Sequence, residues 1–129
     1  MSTRRARGAE GEHLAAEFLE ARGYRILARN YRTRWGEVDL IAEDGQTMVF
    51  VEVKVRRDDR FGGPGASITS AKQVRIARLA QRYLAERRLG DRLCRFDVVL
   101  IWGDDPKTRR IELLVGAFEA PAASHRAPA

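Results

Sequence analysis

The sequence predicts an α/β fold in which a mixed β-sheet is flanked by two helices. Helical and extended hydrophobic patterns follow one another in the order α-β-β-β-α-β-β. The third extended segment, Thr47 to Val55, carries four valines on one side and Phe50 on the other. A strand that is apolar on both sides is typical of a sheet centre covered on both faces. The chain of 129 residues has room for one domain with a core of its own.

Local signals place each element in turn. The pattern of apolar residues predicts a first helix from Ala9 to Ala21, which Gly23 ends as a C-cap. Asp44-Gly45 predicts a hairpin turn between the second and third strands. Ser70-Ala-Lys-Gln73 predicts a capping box that opens a second helix running to about Arg88. Its predicted apolar stripe consists of Val74, Ala77, Ala80 and Leu84.

The remaining strands and the domain limits follow from alternation and composition. The other strands are expected at residues 24–31, 37–43, 95–102 and 110–118. We interpret residues 1–7 as a flexible basic arm and residues 8–118 as the domain. Residues 119–129, rich in Ala and Pro, are interpreted as a disordered tail.

The charge of the chain favours a polyanionic partner. Lys and Arg number 24 against 18 Asp and Glu, a formal net charge of +6. Each phosphate that such a protein neutralises releases a counterion, which favours nucleic acid as the partner. Arginine outnumbers lysine 21 to 3. A GC-rich genome would produce that bias on any protein, so the charge alone leaves both interpretations open.

Several classes of protein are disfavoured. The single cysteine, Cys94, excludes an intrachain disulfide and a multi-cysteine zinc site. The basic N-terminus is not followed by the apolar stretch of a secretory signal. The longest uninterrupted apolar run, Val98 to Trp102, is far too short to span a bilayer. We therefore expect a cytoplasmic protein with no membrane partner.

Charged residues at the centres of two adjacent predicted strands point to chemistry. Asp39 lies between Val38 and Leu40, and Glu52 lies in the most apolar segment of the chain. Lys54 shares a face with Glu52 because side chains alternate along a strand. The hairpin brings Asp39 and Glu52 together across the ladder. Buried carboxylates are costly unless they are paired or metal-bound.

A divalent cation would resolve the repulsion between these two carboxylates. Oxygen ligands with no Cys or His nearby favour Mg²⁺, with Mn²⁺ as a substitute. Lys54 beside the metal could orient the attacking water and offset charge on a phosphoryl transition state. The alternative is structural: Glu52 and Lys54 would form a salt bridge, and Asp39 would pair with an arginine. That alternative predicts no affinity for divalent metals.

Glu12 is a further candidate ligand. Helical periodicity places it near Leu19 and Ala15, at the edge of the apolar arc of the first helix. From there its carboxylate could reach the metal. An exposed first-turn glutamate, stabilised by the helix dipole, fits the same periodicity.

A basic track is predicted on the second helix and after the Glu-x-Lys strand. Its candidate nucleic-acid-binding residues are Arg75, Arg78 and Arg82 on the helix, with Arg56, Arg57 and Arg60 after the strand. A solvated helix face is the alternative. Tyr31 and Trp35 could stack on a base, although a role in the core or its rim is favoured. Asp97 is interpreted as structural.

Taken together, these residues resemble the YraN-type family of small bacterial proteins, within the PD-(D/E)xK nuclease superfamily. The chain is most similar there to archaeal Holliday junction resolvases. The stretches that carry the resemblance span residues 8–118 and include Gly36-Glu-Val-Asp-Leu-Ile-Ala42, Val49-Phe-Val-Glu-Val-Lys-Val-Arg56 and Arg95-Phe-Asp-Val-Val99. Val38 stands where the superfamily has its eponymous proline, which contributes no ligand.

The resemblance implies a restriction-endonuclease-like core. It also implies that Glu12, Asp39 and Glu52 bind the metal, that Lys54 assists catalysis, and that the protein forms a homodimer. Fold kinship does not determine the substrate. We therefore expect a Mg²⁺-dependent phosphodiester hydrolase acting on DNA, including branched or structured DNA. The alternatives are RNA as the substrate, and a nucleic-acid-binding or adaptor module with the nuclease fold and little or no catalysis.

Overall fold

In the computed structural model, residues 4–56, 68–103 and 105–119 are described, with the backbone alone for residues 4–7. The elements in these ranges are α1 (Arg4–Ala21), β1 (Arg25–Thr33), β2 (Gly36–Asp44), β3 (Thr47–Arg56), α2 (Ser70–Glu86), β4 (Cys94–Trp102) and β5 (Arg110–Phe118). This order confirms the predicted α-β-β-β-α-β-β pattern.

The five described strands form one mixed sheet in the order β1-β2-β3-β4-β5. Strands β1, β2 and β3 are antiparallel neighbours, as are β4 and β5. Strands β3 and β4 run parallel, with α2 between them in the chain. The Asp44–Thr47 pair closes the predicted hairpin, and Gly45 adopts φ +61° in its two-residue loop. The predicted α/β class is confirmed.

One helix covers each face of the sheet. Ala15, Ala16 and Leu19 of α1 pack against Val49 and Val51 of β3. The opposite face of β3, with Met48 and Phe50, packs against α2. The buried residues that α2 contributes there are Ile76, Ala77, Leu79, Ala80, Tyr83 and Leu84. The valines and Phe50 of β3 therefore point to opposite layers, as their alternation predicted.

Helix α1 extends further than predicted. It begins at Arg4, five residues before Ala9, so residues 4–7 of the predicted basic arm continue the helix, and residues 1–3 lie outside the described residues. Ala and Arg are strong helix formers, and no proline interrupts this stretch. Most of the predicted tail also lies outside the described residues.

The start of α2 differs from the prediction. Thr69 is the N-cap instead of Ser70, and its hydroxyl accepts a hydrogen bond from the backbone N–H of Lys72 at 3.1 Å. The side chain of Gln73 donates to the carbonyl of Ile68 at 3.2 Å. Val74, predicted as a core residue, is half-buried beside a surface hollow. No helix in the described ranges is long and apolar enough to cross a bilayer.

Candidate active site

The site is built where β2 and β3 separate. Their ladder is paired from Asp44 and Thr47 up to Leu40 and Val51. By that register, Asp39 and Glu52 occupy the first position beyond the paired residues. The Asp39 carboxylate accepts a hydrogen bond from the backbone N–H of Val53 at 2.7 Å, so a side chain replaces the backbone acceptor at this point. The predicted proximity of the two carboxylates follows from the hairpin register.

Asp39 lies in an environment that opposes its ionisation. Burial, and after it the charges of Glu52 and Glu12, raise the pKa of Asp39 from 3.8 to about 7, although the hydrogen bond from the Val53 N–H lowers it. The charge of Glu12 thus acts on Asp39 although α1 packs on the side of the sheet opposite α2. Among the described residues, Asp39 forms no ion pair with an arginine, in contrast to the structural alternative.

Glu52 is held by two lysines. The carboxylate is 8% exposed, and its Oε2 atom lies 3.2 Å from the Lys54 Nζ and 2.6 Å from the Lys72 Nζ. The Glu52–Lys54 contact is the salt bridge that the structural alternative predicted. Lys72 comes from the first turn of α2, where the Thr69 cap fixes its backbone. The two strands and α2 thus bring two carboxylates and two ammonium groups into one cluster.

The two lysines differ in their protonation energetics. Burial lowers the pKa of Lys54, and the neighbouring Lys72 lowers it further. Burial also disfavours the charged form of Lys72, but the hydrogen bond and charge of Glu52 outweigh it, so the pKa of Lys72 is raised. The pKa of Lys54 is thus shifted downward and that of Lys72 upward.

Lys72 was missed as a site residue at the sequence level, although composition offered a signal. The chain uses arginine 21 times and lysine three times, and two of those three lysines, Lys54 and Lys72, lie on Glu52. Lysine can change its protonation state when buried, whereas arginine stays charged. The scarcity of lysine in so arginine-rich a chain is the signal that could have drawn attention to Lys72.

The predicted metal set is not fully assembled. In the part of the chain that the structure describes, no three His, Cys, Asp or Glu side chains are arranged to hold a metal ion. Asp39 and Glu52 lie together and Glu12 acts on Asp39 through its charge. The assignment of these three carboxylates as ligands stays a prediction.

The predicted basic track is partly visible. Arg75, Arg78 and Arg82 are exposed and line one hollow on α2, together with Trp35. Arg56 ends β3, and Arg57 and Arg60 lie outside the described residues. Their role in binding nucleic acid stays a prediction.

The remaining singled-out residues divide between core and surface. Tyr31 packs edge-on against Tyr83 with ring centroids 5.2 Å apart, as expected for a rim residue. Asp97 is fully buried and accepts hydrogen bonds from Tyr24, Arg95 and the backbone of Gly116, so its structural role is confirmed. Trp35 is 52% exposed, and its favoured placement in the core or rim was wrong.

Comparison with known proteins agrees with the resemblance. The model of the Uncharacterised protein family UPF0102 matches residues 11–101, which include every predicted ligand and Lys54. A UPF0102 protein of Symbiobacterium thermophilum is 56% identical over 115 residues, covering 88% of this chain and 96% of that protein. A UPF0102 protein of Moorella thermoacetica is 47% identical over 117 residues, covering 90% and 98% of the two chains. A UPF0102 protein of Syntrophus aciditrophicus is 50% identical over 112 residues, or 87% of each chain. The chain therefore belongs to the UPF0102 family.

Proposed function

We propose that this protein is a metal-dependent phosphodiester hydrolase, an endonuclease that acts on DNA, including branched or structured DNA. The observation that carries the proposal is the pair of adjacent carboxylates on separating strands, with Lys54 beside them. Asp39 has no arginine partner among the described residues, and burial with the neighbouring carboxylates raises its pKa to about 7. Strongly perturbed groups of this kind cluster at functional sites.

The carboxylates suit a hard divalent cation in their chemistry. Asp39 and Glu52, with Glu12, would hold Mg²⁺ or Mn²⁺ through oxygen ligands. A bound Mg²⁺ supplies Lewis-acid polarisation of a phosphate and acidifies a bound water. A cation between the carboxylates would also offset the repulsion between Asp39 and Glu52, which is the second largest cause, after burial, of the raised pKa of Asp39. Glu52 has to loosen its contacts with Lys54 and Lys72 to become a ligand.

The residues of the chain have separable tasks in hydrolysis. A water molecule gives up a proton to solvent as its oxygen attacks the phosphorus, the bond to the leaving sugar oxygen breaks, and that oxygen takes up a proton. Lys54, whose pKa burial lowers, is placed to orient that water or to donate a proton to the leaving oxygen. Lys72, whose pKa is raised by its contact with Glu52, would offset negative charge on the phosphoryl group.

A second candidate function is a nucleic-acid-binding or adaptor module that has the fold without useful turnover. Two observations favour it. Glu52 is already neutralised by two lysines, and the described residues hold no assembled group of three metal ligands. Such a module would bind in EDTA, with strong salt dependence and no effect of metal on thermal stability.

The test is cleavage of end-labelled single-stranded, duplex, flap and four-way-junction DNA, with matching RNA, in Mg²⁺ or Mn²⁺. Asp39→Ala and Lys54→Ala should abolish cleavage. The exposed residues Asp91 and Lys107 supply matched controls, Asp91→Ala and Lys107→Ala, which should cleave normally. Activity that survives Asp39→Ala would refute the site. Binding without cleavage in every metal would favour the adaptor.

Two further proposals accompany this function. A homodimer, which the resemblance implies, would be seen as a doubled mass in light scattering. A cytoplasmic location would be seen in cell fractionation. Neither is needed for the chemistry of the cluster.

A further inference from the structure

A hollow of about 460 Å³ lies on α2 at the turn between β1 and β2. Its wall is partly aromatic and apolar and partly cationic. The side chains that matter are those of Trp35, Val74, Leu79, Arg75, Arg78 and Arg82. A concave site that joins an aromatic surface to several cations fits a flat ring attached to an anion.

Trp35 is held in place from several sides. Its backbone N–H donates to the Thr33 hydroxyl at 3.0 Å, which fixes the turn. The guanidinium of Arg82 lies 4.3 Å from the centroid of the indole, and that of Arg34 lies 5.1 Å from it. The indole is nevertheless 52% exposed. The exposed part of the indole, beside these guanidinium groups, is a surface on which a base could stack.

The arginines of the hollow differ in their ion pairs. Arg82 forms an ion pair with Glu86 at 3.3 Å. Within the described ranges, neither Arg75 nor Arg78 forms an ion pair with a carboxylate. The stem of Arg75 packs over Gly36, where a Cβ would meet its Cδ at 3.0 Å, so the absence of a side chain at Gly36 leaves room for it. Arg75 and Arg78 are thus two exposed cations on one surface of α2.

The hollow and the carboxylate cluster share this helix. Lys72, in the first turn of α2, contacts Glu52, and Arg75 follows one turn later. Since a helix rises 1.5 Å per residue, Lys72 and Arg82 are about 15 Å apart along its axis. A nucleic-acid strand that leaves the cluster along α2 would therefore pass across the hollow.

We propose that the hollow binds an unpaired nucleobase, which stacks on Trp35 while Arg75 and Arg78 contact the adjacent phosphates. Bases inside a duplex stack on one another and offer no free face, whereas an unpaired base does. The preferred substrate is therefore DNA with a single-stranded segment, such as a flap or an open branch, beside the cleaved bond. This inference rests on the proposed function for the identity of the ligand as DNA, but binding in the hollow does not require cleavage.

The test uses Trp102→Phe, which leaves Trp35 as the one remaining tryptophan of the chain. Its fluorescence is titrated in EDTA with a short deoxythymidine oligonucleotide, with a duplex of the same length, with inorganic phosphate and with an acidic peptide. We expect saturable quenching by the single strand and little by the other three. Trp35→Ala, followed by anisotropy of a labelled oligonucleotide, should weaken single-strand binding about tenfold, within the range for one lost stacking contact.

Controls separate the hollow from general charge. Arg75→Ala and Arg78→Ala should weaken binding and reduce its salt dependence. Arg22→Ala, an exposed position just after the end of α1, should change affinity less than either. Circular dichroism should show that each variant is folded, since all four positions are exposed.

Any of three results would overturn the inference. They are equal affinity for duplex and single strand, an unchanged affinity in Trp35→Ala, and equal quenching by the acidic peptide. The cleavage assay is independent of it. Quenching without cleavage would refute the enzyme and keep the hollow, whereas cleavage with no effect of Trp35→Ala would refute the hollow and keep the enzyme.

Discussion

The Asp39→Asn variant should stabilise the folded protein at neutral and alkaline pH but not near pH 4. Burial, with the charges of Glu52 and Glu12, raises the pKa of Asp39 from 3.8 to about 7. Between those pH values the folded state holds a proton that the unfolded state has lost, so the stability of the wild type falls as pH rises and levels off above pH 7. Asparagine has no such proton, and its carbonyl can still accept the Val53 N–H.

The magnitude follows from the separation of the two pKa values. Each pH unit between them corresponds to about 1.4 kcal/mol, which gives an upper value of about 4 kcal/mol for ionised Asp39. Partial exposure and the nearby lysines screen the charge, so we expect a gain of about 2 to 4 kcal/mol in the free energy of unfolding at pH 8.

Urea unfolding in EDTA, from pH 4 to pH 9, measures this directly for the wild type, Asp39→Asn and the exposed control Asp91→Asn. The wild type and Asp39→Asn should diverge as pH rises, while Asp91→Asn follows the wild type. Parallel curves for wild type and Asp39→Asn would refute the reasoning. Saturating Mg²⁺ should then stabilise the wild type and not Asp39→Asn, because only the wild type keeps the ligand.

Three other substitutions test the packing and the charges around the site. Gly11→Ala should destabilise the fold by about 1 to 3 kcal/mol in urea unfolding, because its Cβ would lie 2.7 Å from a valine methyl of β3; an unchanged midpoint would contradict that packing. Asp97→Asn should lower stability by about 3 kcal/mol. It should also lower the pKa of Tyr24 from about 12 in a spectrophotometric titration, because the hydrogen bond to Asp97 helps to raise that pKa. Burial, the larger cause, stays, so the pKa should remain above its usual value of 10.0. Lys72→Met should raise the pKa of Lys54, measured by NMR of its Cε resonance, because a neighbouring cation is removed; an unchanged or lower pKa would show that Lys72 does not depress it.

The order of the elements could be predicted because their signals are local. The hairpin illustrates this: Asp44-Gly45 fixes the turn, and the turn fixes the register that sets Asp39 opposite Glu52. The valines of β3 likewise determine which face carries Glu52 and Lys54. Element ends were predicted less well: α1 begins five residues before Ala9, and the α2 N-cap was misplaced by one residue, since Thr69 and Ser70 are both good caps.

The partners that charged residues find on distant elements could not be predicted, because they depend on how those elements pack. Lys72 lies 20 residues from Glu52, and the docking of α2 on the sheet brings them together. The hydrogen bond that Asp39 accepts from the Val53 N–H was not predicted, because it arises where the pairing of β2 and β3 ends beyond Leu40. Periodicity cannot show where two strands part.

Trp35 shows the same limit from the surface. As an isolated tryptophan in a turn it was assigned to the core or its rim, because most large aromatic side chains are found there. Its exposure becomes meaningful only with Arg82, which lies 47 residues away and covers part of the ring. A functional surface assembled from a turn and a helix leaves no contiguous motif in the sequence.

The most direct test of the central claim is anomalous diffraction from crystals soaked in Mn²⁺. We expect an anomalous peak for an ion that contacts both Asp39 and Glu52. The Lys72 ammonium should then be displaced from the Glu52 Oε2 atom, which it otherwise contacts at 2.6 Å. Crystals saturated with Mn²⁺ that show no peak between these carboxylates, and in which Lys54 and Lys72 still hold Glu52, would contradict it.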